Sequence, residues 1–346
     1  MRQEITIGNR TIGHNQPLFI VSECGVTCNH SLELTLSLVD ATADAGADAI
    51  KFTFCFPEEF MSDRNVTYTY ETVRGTESEN MYDMLQNRLT VEDWGKVQKR
   101  AQERGIEMFA SIDANTGIEY CEALNFPAYK MGSWDFNHLP LWRQVAKLNK
   151  PMFIDTGPVD HLDLAKTMQV LYEEGNDQAV LVHCFHTSNY DEMNMNAIPY
   201  MREAFNCPVG YSPEGRDDET DIMAVAMGAC VLEKRLTIDR NLPGHHHILS
   251  KEPEEFKTYV QTMRQVHTSL GEEALKPSEA DLGEKKKWFR HLVANADLKK
   301  GTVLTEEHLI GKRPQEGVSP EHLSLFLGRK LQRDLQENEA LSFTDI

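Results

Sequence analysis

Short apolar runs alternate with amphipathic segments along most of this chain, from residue 17 to about residue 240. Eight of these runs are rich in apolar, β-branched and aromatic residues, which is typical of strands that are buried on both faces. The pattern therefore predicts strands at residues 18–24, 48–54, 107–113, 128–132, 152–155, 179–184, 208–212 and 229–236.

The segments between these runs carry helical signals. The clearest patterns occupy residues 31–47, 89–105, 138–149, 163–175 and 196–205. The first begins at Ser31, a favourable N-cap, and the second begins with Thr90 and Asp93 in the spacing of a capping box and ends at Gly105. Because alternating strands and helices imply parallel pairing, and eight such units imply closure, the sequence predicts an α/β fold, a (β/α)8 TIM barrel.

The pattern changes after the eighth strand. A long helical segment at 252–271 completes a predicted barrel domain of residues 1–271, and the polar stretch 272–287 is interpreted as a linker. Residues 288–346 predict a small β-rich domain. Its short strands are separated by turns at 299–301 and 314–317 and by small helices that start at Thr305 and Ser319.

Composition and charge narrow the functional classes. The net charge is −19, which argues against nucleic acid or an anionic membrane as a partner. The chain has no apolar run of 18 residues, and its N-terminal stretch lacks the apolar segment of a signal peptide. The seven cysteines are scattered, so we expect a reduced protein of the cytoplasm.

Polar or charged residues stand at the ends of nearly all the predicted strands. In a (β/α)8 barrel the loops after the strand carboxyl ends build the active face. Charged side chains gathered there suit chemistry on anions and aldehydes. The residues are Glu23, Lys51, Asp113, Lys130, Asp155, His183 and Glu233 with Arg235, and Glu214 follows another strand.

Several local motifs occur in a specific order along the chain. They are Glu23-Cys24-Gly25, AGADAIKFTF, KMGSWDFNHLPL, DTGP, His183-Cys184, GYSPEG and EKRLTIDRNLPGHHH, followed by RHLVANADLKKGTVLTEEHLIGKRP. Over nearly the whole length this order resembles the N-acetylneuraminate (sialic acid) synthase family, which includes homologues of the spore coat polysaccharide type. The last segment is similar to the antifreeze-like (SAF) domain of that family.

The resemblance implies a phosphoenolpyruvate-dependent, aldol-type condensation. The acceptor would be the aldehyde of an N-acyl-hexosamine-like sugar, and the product a sialic-acid-like nonulosonate for surface polysaccharide. A divalent metal, manganese or magnesium, polarises the aldehyde in the family. By residue matching, Lys51 and Lys130 hold the charges of phosphoenolpyruvate, while Glu23 and Asp135 transfer protons or orient substrate.

The resemblance also assigns contacts beyond these. Ser133 matches a phosphate-binding hydroxyl, and His183 lies in the matched strand end. Either His186 or Ser188 takes the place of a further polar phosphate ligand. Arg290 matches an arginine that reaches the sugar site of the neighbouring subunit, which implies a domain-swapped homodimer.

The chain departs from the family where the metal binds. The two metal histidines are replaced by Glu214 and Arg235, an aspartate is replaced by His246, and a phosphate-binding serine is replaced by Asp155. Glutamate ligates hard cations, but arginine does not. Glu214 with His183 or His246 is one candidate metal site. Alternatively, Arg235 supplies the positive charge without a metal.

The sequence does not decide the ion-pair partner of Arg235 or the type of reaction. The guanidinium is expected to pair with Asp155, with Glu233 or with Asp239. Two other functions compete with the synthase: a lyase that uses Lys51 or Lys130 as a Schiff-base nucleophile, and a divergent homologue with altered or lost catalysis that binds a sugar or phosphate.

Overall fold

The computed structural model describes residues 1–314 and 316–346. The chain forms two compact units, Met1–Gly271 and Glu272–Ile346. The predicted turn at 314–317 includes Gln315, which lies outside the described residues.

Eight parallel strands of the first unit close into a barrel, as the sequence predicts. Each lies within two residues of its predicted bounds. In chain order, the strands of this unit are β1 (Glu4–Ile7), β2 (Arg10–Gly13), β3 (Phe19–Glu23), β4 (Ala49–Phe54), β5 (Thr67–Thr72), β6 (Gly75–Asn80), β7 (Glu107–Ile112), β8 (Tyr129–Met131), β9 (Met152–Asp155), β10 (Ala179–Cys184), β11 (Val209–Ser212) and β12 (Val231–Arg235). The barrel consists of β3, β4 and β7 to β12, and the pairing of β12 with β3 closes it.

Helices pack around the barrel and connect its strands. They are α1 (Leu32–Ala45), α2 (Pro57–Phe60), α3 (Met81–Leu85), α4 (Val91–Arg104), α5 (Asn115–Ala123), α6 (Leu139–Lys147), α7 (His161–Glu173), α8 (Ala197–Phe205), α9 (Glu219–Ala226) and α10 (Pro253–Ser269). The caps predicted for α1 and α4 are present: Ser31 accepts a hydrogen bond from the Leu34 amide, and Thr90 forms a capping box with Asp93. The sequence pattern did not predict α5 and α9, and both begin without a side-chain cap.

The barrel interior is apolar at its amino-terminal end. Phe109 stacks on Phe153 with ring centroids 4.7 Å apart. The antiparallel hairpin of β1 and β2 contributes Ile5, Ile7 and Ile12 to the same buried cluster. The hairpin therefore forms a floor to the barrel, and the polar positions of the interior lie at the opposite end.

A second antiparallel hairpin, β5 with β6, is inserted after β4. The hydroxyl of Tyr68 lies 3.0 Å from Nε2 of His245, and Arg74 donates to the carbonyl of Asn241 at 2.6 Å. The hairpin thus spans from the loop after β4 to the loop after β12, on the carboxyl side of the barrel.

The second unit is built around β13 (His291–Ala294) and β14 (Leu309–Lys312), which pair antiparallel. Short 3-10 helices follow Thr305 and Ser319, as predicted. The segment interpreted as a linker contains a helix, α11 (Glu279–Trp288), which begins in a capping box at Ser278 and which the sequence pattern did not predict.

Within residues 1–314 and 316–346, no helix combines the length and the apolar character needed to cross a membrane.

Candidate active site

A charged layer lies directly above the apolar interior of the barrel. Side chains two residues apart on a strand point to the same face. Val21, Ala49, Ala128, Phe153 and Val231 belong to the buried interior cluster. The residue two positions after each of them is charged, in the order Glu23, Lys51, Lys130, Asp155 and Glu233.

Lys130 occupies the centre of this layer. Its side chain has no exposed surface, and its Nζ lies 2.5 Å from Oε1 of Glu233 and 2.8 Å from Oδ1 of Asp155. A buried ammonium is tolerated only when it is paired and hydrogen-bonded. Two carboxylates therefore hold Lys130 in place.

Lys51 shares Glu233 with Lys130. Its Nζ lies 3.5 Å from Oε2 of Glu233 and 3.4 Å from Oε1 of Glu23. Burial favours the neutral amine, but these two carboxylates outweigh it, so the pKa of Lys51 lies above its usual value. Lys51 is therefore an ammonium at neutral pH.

The three carboxylates of the layer differ in how readily they take a proton. Burial raises the pKa of each, but Lys51 and Arg235 bring that of Glu23 below its usual value. Lys130 and Lys51 do the same for Glu233. For Asp155 burial prevails over Lys130, and its pKa is raised. Asp155 is therefore the member most easily protonated.

Arg235 ends β12 and is held by four interactions. Its Nη1 donates to the carbonyls of Pro213 at 3.1 Å and Glu214 at 2.6 Å. Its Nη2 donates to Oε2 of Glu214 at 3.1 Å, and its Nε lies 3.7 Å from Oε2 of Glu23. The expected pairing with Asp155, Glu233 or Asp239 was wrong. Arg235 pairs instead with Glu214, which the loop after β11 places beside the guanidinium, and with Glu23.

The histidine loop after β12 lies beside Arg235. His246 adopts a left-handed backbone conformation with φ of 73°. Burial, followed by the charge of Arg235, lowers the pKa of His246 well below its usual value and that of His245 to about 4. Both imidazoles are therefore neutral near pH 7.

The predicted metal ligands do not form a suitable donor set. The carboxylate of Glu214 is engaged by the guanidinium of Arg235, whose fixed positive charge opposes a cation at the same place. Of the two histidine candidates, His183 faces away from the barrel mouth, and His246 lies close to the positive charge of Arg235. Among residues 1–314 and 316–346, no cluster of three His, Cys, Asp or Glu side chains is arranged to hold a metal ion.

A second acidic group lies beyond the lysines, at the ends of β7 and β8. Burial raises the pKa of Asp113 to about 7, and the nearby Asp135 adds to the shift. Burial also raises the pKa of Asp135. Ser133, in the turn after β8, is buried with 5% of its surface exposed. The site thus contains one carboxyl group, that of Asp113, that can hold a proton near neutral pH.

The assignment of His183 to substrate binding is corrected. Val182 faces the barrel interior and Leu181 faces the helices, so His183 points outward with Leu181. Its Nε2 is 2.8 Å from the carbonyl of Met193, and burial lowers the pKa of His183. Cys184, the next residue, faces the charged layer instead, and burial, followed by the charge of Asp155, raises the pKa of its thiol.

The structure also separates the two candidates after β10. His186 stacks on Trp134 with ring centroids 4.5 Å apart, next to the turn that contains Ser133. Ser188 is exposed further along the loop. His186 is therefore the candidate that lies beside the Ser133 turn, and the assignment of Ser188 stays a prediction.

Arg290 lies in the second unit, directly before β13, and its side chain is exposed. Its predicted role in the site of a neighbouring subunit stays a prediction.

Glu233 and Asp113 were recognised from the sequence as strand-end residues, but neither was assigned a catalytic or binding role. Both stand at strand ends, which was the signal available in the sequence. Glu233 contacts both lysines, and its Oε2 is buried without a hydrogen-bond partner among the described residues.

Comparison with known proteins identifies the family. The sequence profile of the NeuB family matches residues 38–274, and that of the SAF domain matches residues 289–346. The first match covers more than half of the chain, so this chain belongs to the NeuB family, whose members are sialic-acid-synthase-like transferases. The resemblance predicted from the sequence motifs is confirmed.

Individual relatives agree with this placement. The N,N'-diacetyllegionaminic acid synthase of Legionella pneumophila is 32% identical over 351 residues, which cover 98% of this chain and 97% of that protein. The crystal structure of the N-acetylneuraminic acid (sialic acid) synthetase of Leptospira borgpetersenii, in complex with citrate, has a TM-score of 0.71 at 26% identity and covers 82% of this chain and 95% of its own. The spore coat polysaccharide biosynthesis protein SpsE of Bacillus subtilis has a TM-score of 0.67 at 27% identity and covers 99% of both chains.

Proposed function

We propose that this protein condenses phosphoenolpyruvate with the aldehyde of an N-acylated hexosamine to give a sialic-acid-like nonulosonate for surface polysaccharide synthesis. The observation that carries the proposal is the pair of buried lysines, Lys51 and Lys130, which share Glu233 at the mouth of a NeuB-family barrel. Two ammonium groups in a water-poor mouth suit a substrate that has both a carboxylate and a phosphate.

Anion binding requires a change in the existing ion pairs. The carboxylates of Glu23, Asp155 and Glu233 already neutralise the two lysines. An incoming phosphate is repelled by these carboxylates unless one of them takes up a proton. Asp155 is suited to do so, because burial raises its pKa despite the opposing charge of Lys130. Protonation of Asp155 would also release Lys130 from one of its ion pairs.

The bond-forming step needs positive charge at the acceptor and groups that handle protons. C3 of phosphoenolpyruvate attacks the aldehyde carbon, and the carbonyl oxygen takes a proton as the carbon–carbon bond forms. Water then adds to C2 and loses one proton. The bond between C2 and the phosphate oxygen breaks, and the new C2 hydroxyl loses its proton to the departing phosphate, which leaves a keto group. Asp113 and Asp135, whose pKa values are raised, and the ionised Glu23 are the groups placed for these transfers.

We further propose that Arg235 supplies the positive charge at the aldehyde oxygen. The guanidinium is permanently charged and is fixed by Glu214 and Glu23 at the mouth. Preorganised charge of this kind is worth several kcal/mol where an oxyanion develops. A manganese or magnesium ion held by Glu214 and His246 is the competing proposal, and the ion pair with Arg235 weighs against it.

The lysine Schiff-base alternative is less well supported. A Schiff base requires a neutral amine, whereas the pKa of Lys51 lies above its usual value. Lys130 has no exposed surface and is held between two carboxylates. Ligand binding without turnover is the remaining alternative.

We also propose a domain-swapped homodimer in the cytoplasm, in which Arg290 completes the site of the other subunit. The match of residues 289–346 to the SAF domain supports this. Subunit mixing tests it: Arg290→Ala and Lys130→Met variants, inactive alone, should regain activity when dissociated and reassembled together. Failure to regain activity in confirmed mixed dimers would contradict the shared site.

Phosphate release from phosphoenolpyruvate tests the proposed reaction. The acceptors are N-acetylmannosamine and 2,4-diacetamido sugars, each with added manganese and with a chelator. We expect sugar-dependent release that survives chelation. Release that chelation abolishes would overturn the role of Arg235 in favour of a metal, and Glu214→Ala should then be inactive. Binding of phosphoenolpyruvate with no release for any acceptor would favour the non-catalytic alternative.

A further inference from the structure

Trp134 is an exposed indole at the barrel mouth, in the turn that follows β8. It exposes 71% of its surface, although the adjacent Ser133 is buried. Its principal ring contact is His186, with centroids 4.5 Å apart and an angle of 37° between the planes. Single exposed aromatic rings are common on protein surfaces, so the contact with His186, and not the exposure alone, marks this tryptophan.

The rings of Trp134 and His186 lie where the turns after β8, β9 and β10 come together. Gly157 follows β9 and has a φ of 43°, and a Cβ placed there would lie 2.5 Å from Oγ of Ser133 and 3.4 Å from Cε1 of His186. The turns after β8, β9 and β10 therefore meet at Ser133, Gly157 and His186. His186 and Trp134 are both exposed, so the meeting point is accessible. The cavity of about 430 Å³ that Ser133 and Trp134 line lies on the other side of the turn, against the loop after β9 and α7.

Carboxylates already neutralise much of the positive charge at the barrel mouth, so a bound phosphoryl group would gain from a further hydrogen-bond donor. Lys130 is already paired with Glu233 and Asp155, and Lys51 with Glu233 and Glu23. These lysines offer less net positive charge to a phosphoryl group than free ammonium groups would. A hydrogen-bond donor outside the paired cluster would compensate, and an imidazole N–H is such a donor.

We propose that Trp134 is a positioning residue that holds the imidazole of His186 over Ser133 and Gly157, where His186 donates a hydrogen bond to the phosphoryl group of phosphoenolpyruvate. This inference rests on the proposed function. His186 lies on a loop, and ordering a free side chain opposes binding. Stacking on the indole restricts the imidazole before the ligand binds, so less conformational entropy is lost on binding.

Binding of phosphoenolpyruvate and of inorganic phosphate, measured by titration calorimetry, tests the proposal. The variants are Trp134→Gly, Trp134→Phe, His186→Ala and the double variant of Trp134→Gly with His186→Ala. Tyr172→Ala is the matched control, because Tyr172 exposes 75% of its surface on α7, away from the mouth. We expect Trp134→Gly and His186→Ala each to raise the Kd of phosphoenolpyruvate about tenfold, the size expected for one charge-assisted hydrogen bond.

Further readouts separate positioning from a general structural effect. Trp134→Phe should retain most of the affinity, because it keeps an aromatic face. The double variant should be no weaker than either single variant, since the two residues act as one unit. The KM for the acceptor sugar should change less than the KM for phosphoenolpyruvate.

The outcomes distinguish this inference from the proposed function. If the unmodified protein binds phosphoenolpyruvate and releases phosphate while Trp134→Gly has an unchanged Kd, the inference alone fails. An increase confined to the KM of the sugar would also overturn it and would make Trp134 an acceptor contact. If the unmodified protein does not bind phosphoenolpyruvate, the proposed function and the inference fall together.

Discussion

Lys130 and Glu233 form an ion pair at the centre of the barrel mouth, with Nζ 2.5 Å from Oε1 and neither side chain exposed to solvent. Glu233 also pairs with Lys51, and Lys130 with Asp155. Breaking a buried pair by removing one partner leaves an uncompensated charge. The cluster that we assign to anion binding is therefore also a determinant of stability.

Removing the central ammonium should affect both properties. Lys130→Met should lower the free energy of unfolding by about 3–5 kcal/mol, the usual cost of orphaning a buried charge, and should abolish phosphate release by the fraction that stays folded. Urea denaturation and the phosphate assay measure the two effects.

A second buried lysine provides the control for this experiment. Lys234 follows Glu233 but points away from the mouth, with its Nζ 2.8 Å from Oδ2 of Asp221. Lys234→Met should lower stability to a similar degree while the folded protein keeps its activity. A folded Lys130→Met variant with full activity would contradict our assignment.

Arg235 should act on turnover more than on binding of phosphoenolpyruvate. Arg235→Ala should lower kcat about 10²- to 10³-fold, as loss of one preorganised oxyanion contact does, while the Kd of phosphoenolpyruvate changes little. The paired variant Glu214→His with Arg235→His restores the two histidines that the family resemblance places there, and its activity should become sensitive to chelators. A chelator-sensitive unmodified protein would refute this account of Arg235.

Asp113 should make stability depend on pH. Burial raises its pKa to about 7 in the folded protein, whereas an unfolded aspartate titrates near pH ~3.9. The folded state therefore retains a proton that the unfolded state has lost. This contribution to stability is complete below the unfolded pKa and is lost as the pH rises through about 7.

The free energy of unfolding should accordingly fall with rising pH in that window, by at most about 1.4 kcal/mol per pH unit from this group. Asp113→Asn should remove this part of the slope in urea denaturation series. Asp163→Asn is the control, because Asp163 is about half exposed on α7. An unchanged slope in Asp113→Asn would show that Asp113 does not carry the proton.

His183 should affect stability and leave the chemistry intact. Its imidazole faces outward and bonds the Met193 carbonyl at 2.8 Å. His183→Ala should cost about 1–3 kcal/mol of stability through the unsatisfied carbonyl, with kcat and the Kd of phosphoenolpyruvate within a few-fold of the unmodified values. A loss of phosphoenolpyruvate affinity in a folded His183→Ala protein would place His183 in the site after all.

The barrel was predictable from the sequence because each strand is a compact apolar run. The face of each side chain was harder to predict. In β10, Val180, Leu181 and Val182 are all apolar, since the strand is buried on both sides. No alternation marks which of His183 and Cys184 faces the lumen, and His183 was assigned to the wrong side.

The buried face of a helix was hard to predict for a related reason. The buried face of α1 includes two polar residues, Thr35 and Thr42, beside Leu38 and Val39. The hydroxyl of each threonine bonds a main-chain carbonyl one turn earlier, at 2.6 and 2.8 Å, which satisfies it in the core. A pattern of apolar residues cannot contain that information.

The partners in the ion pairs could not be predicted from the sequence either. The partner of Arg235, Glu214, is contributed by another strand's loop, and the sharing of Glu233 by two lysines depends on barrel closure. Strand-end position identified these residues as candidates, but their roles follow only from distances across the mouth.

Tracing the carbon skeleton tests the central claim most directly. Phosphoenolpyruvate labelled with ¹³C at C3 is incubated with the protein and a 2-acetamido sugar, and the products are analysed by mass spectrometry. We predict a labelled nonulosonate whose mass equals the acceptor plus one pyruvate unit, formed in step with phosphate release. Phosphate release accompanied only by labelled pyruvate would contradict the account, because the barrel would then hydrolyse phosphoenolpyruvate without forming a carbon–carbon bond.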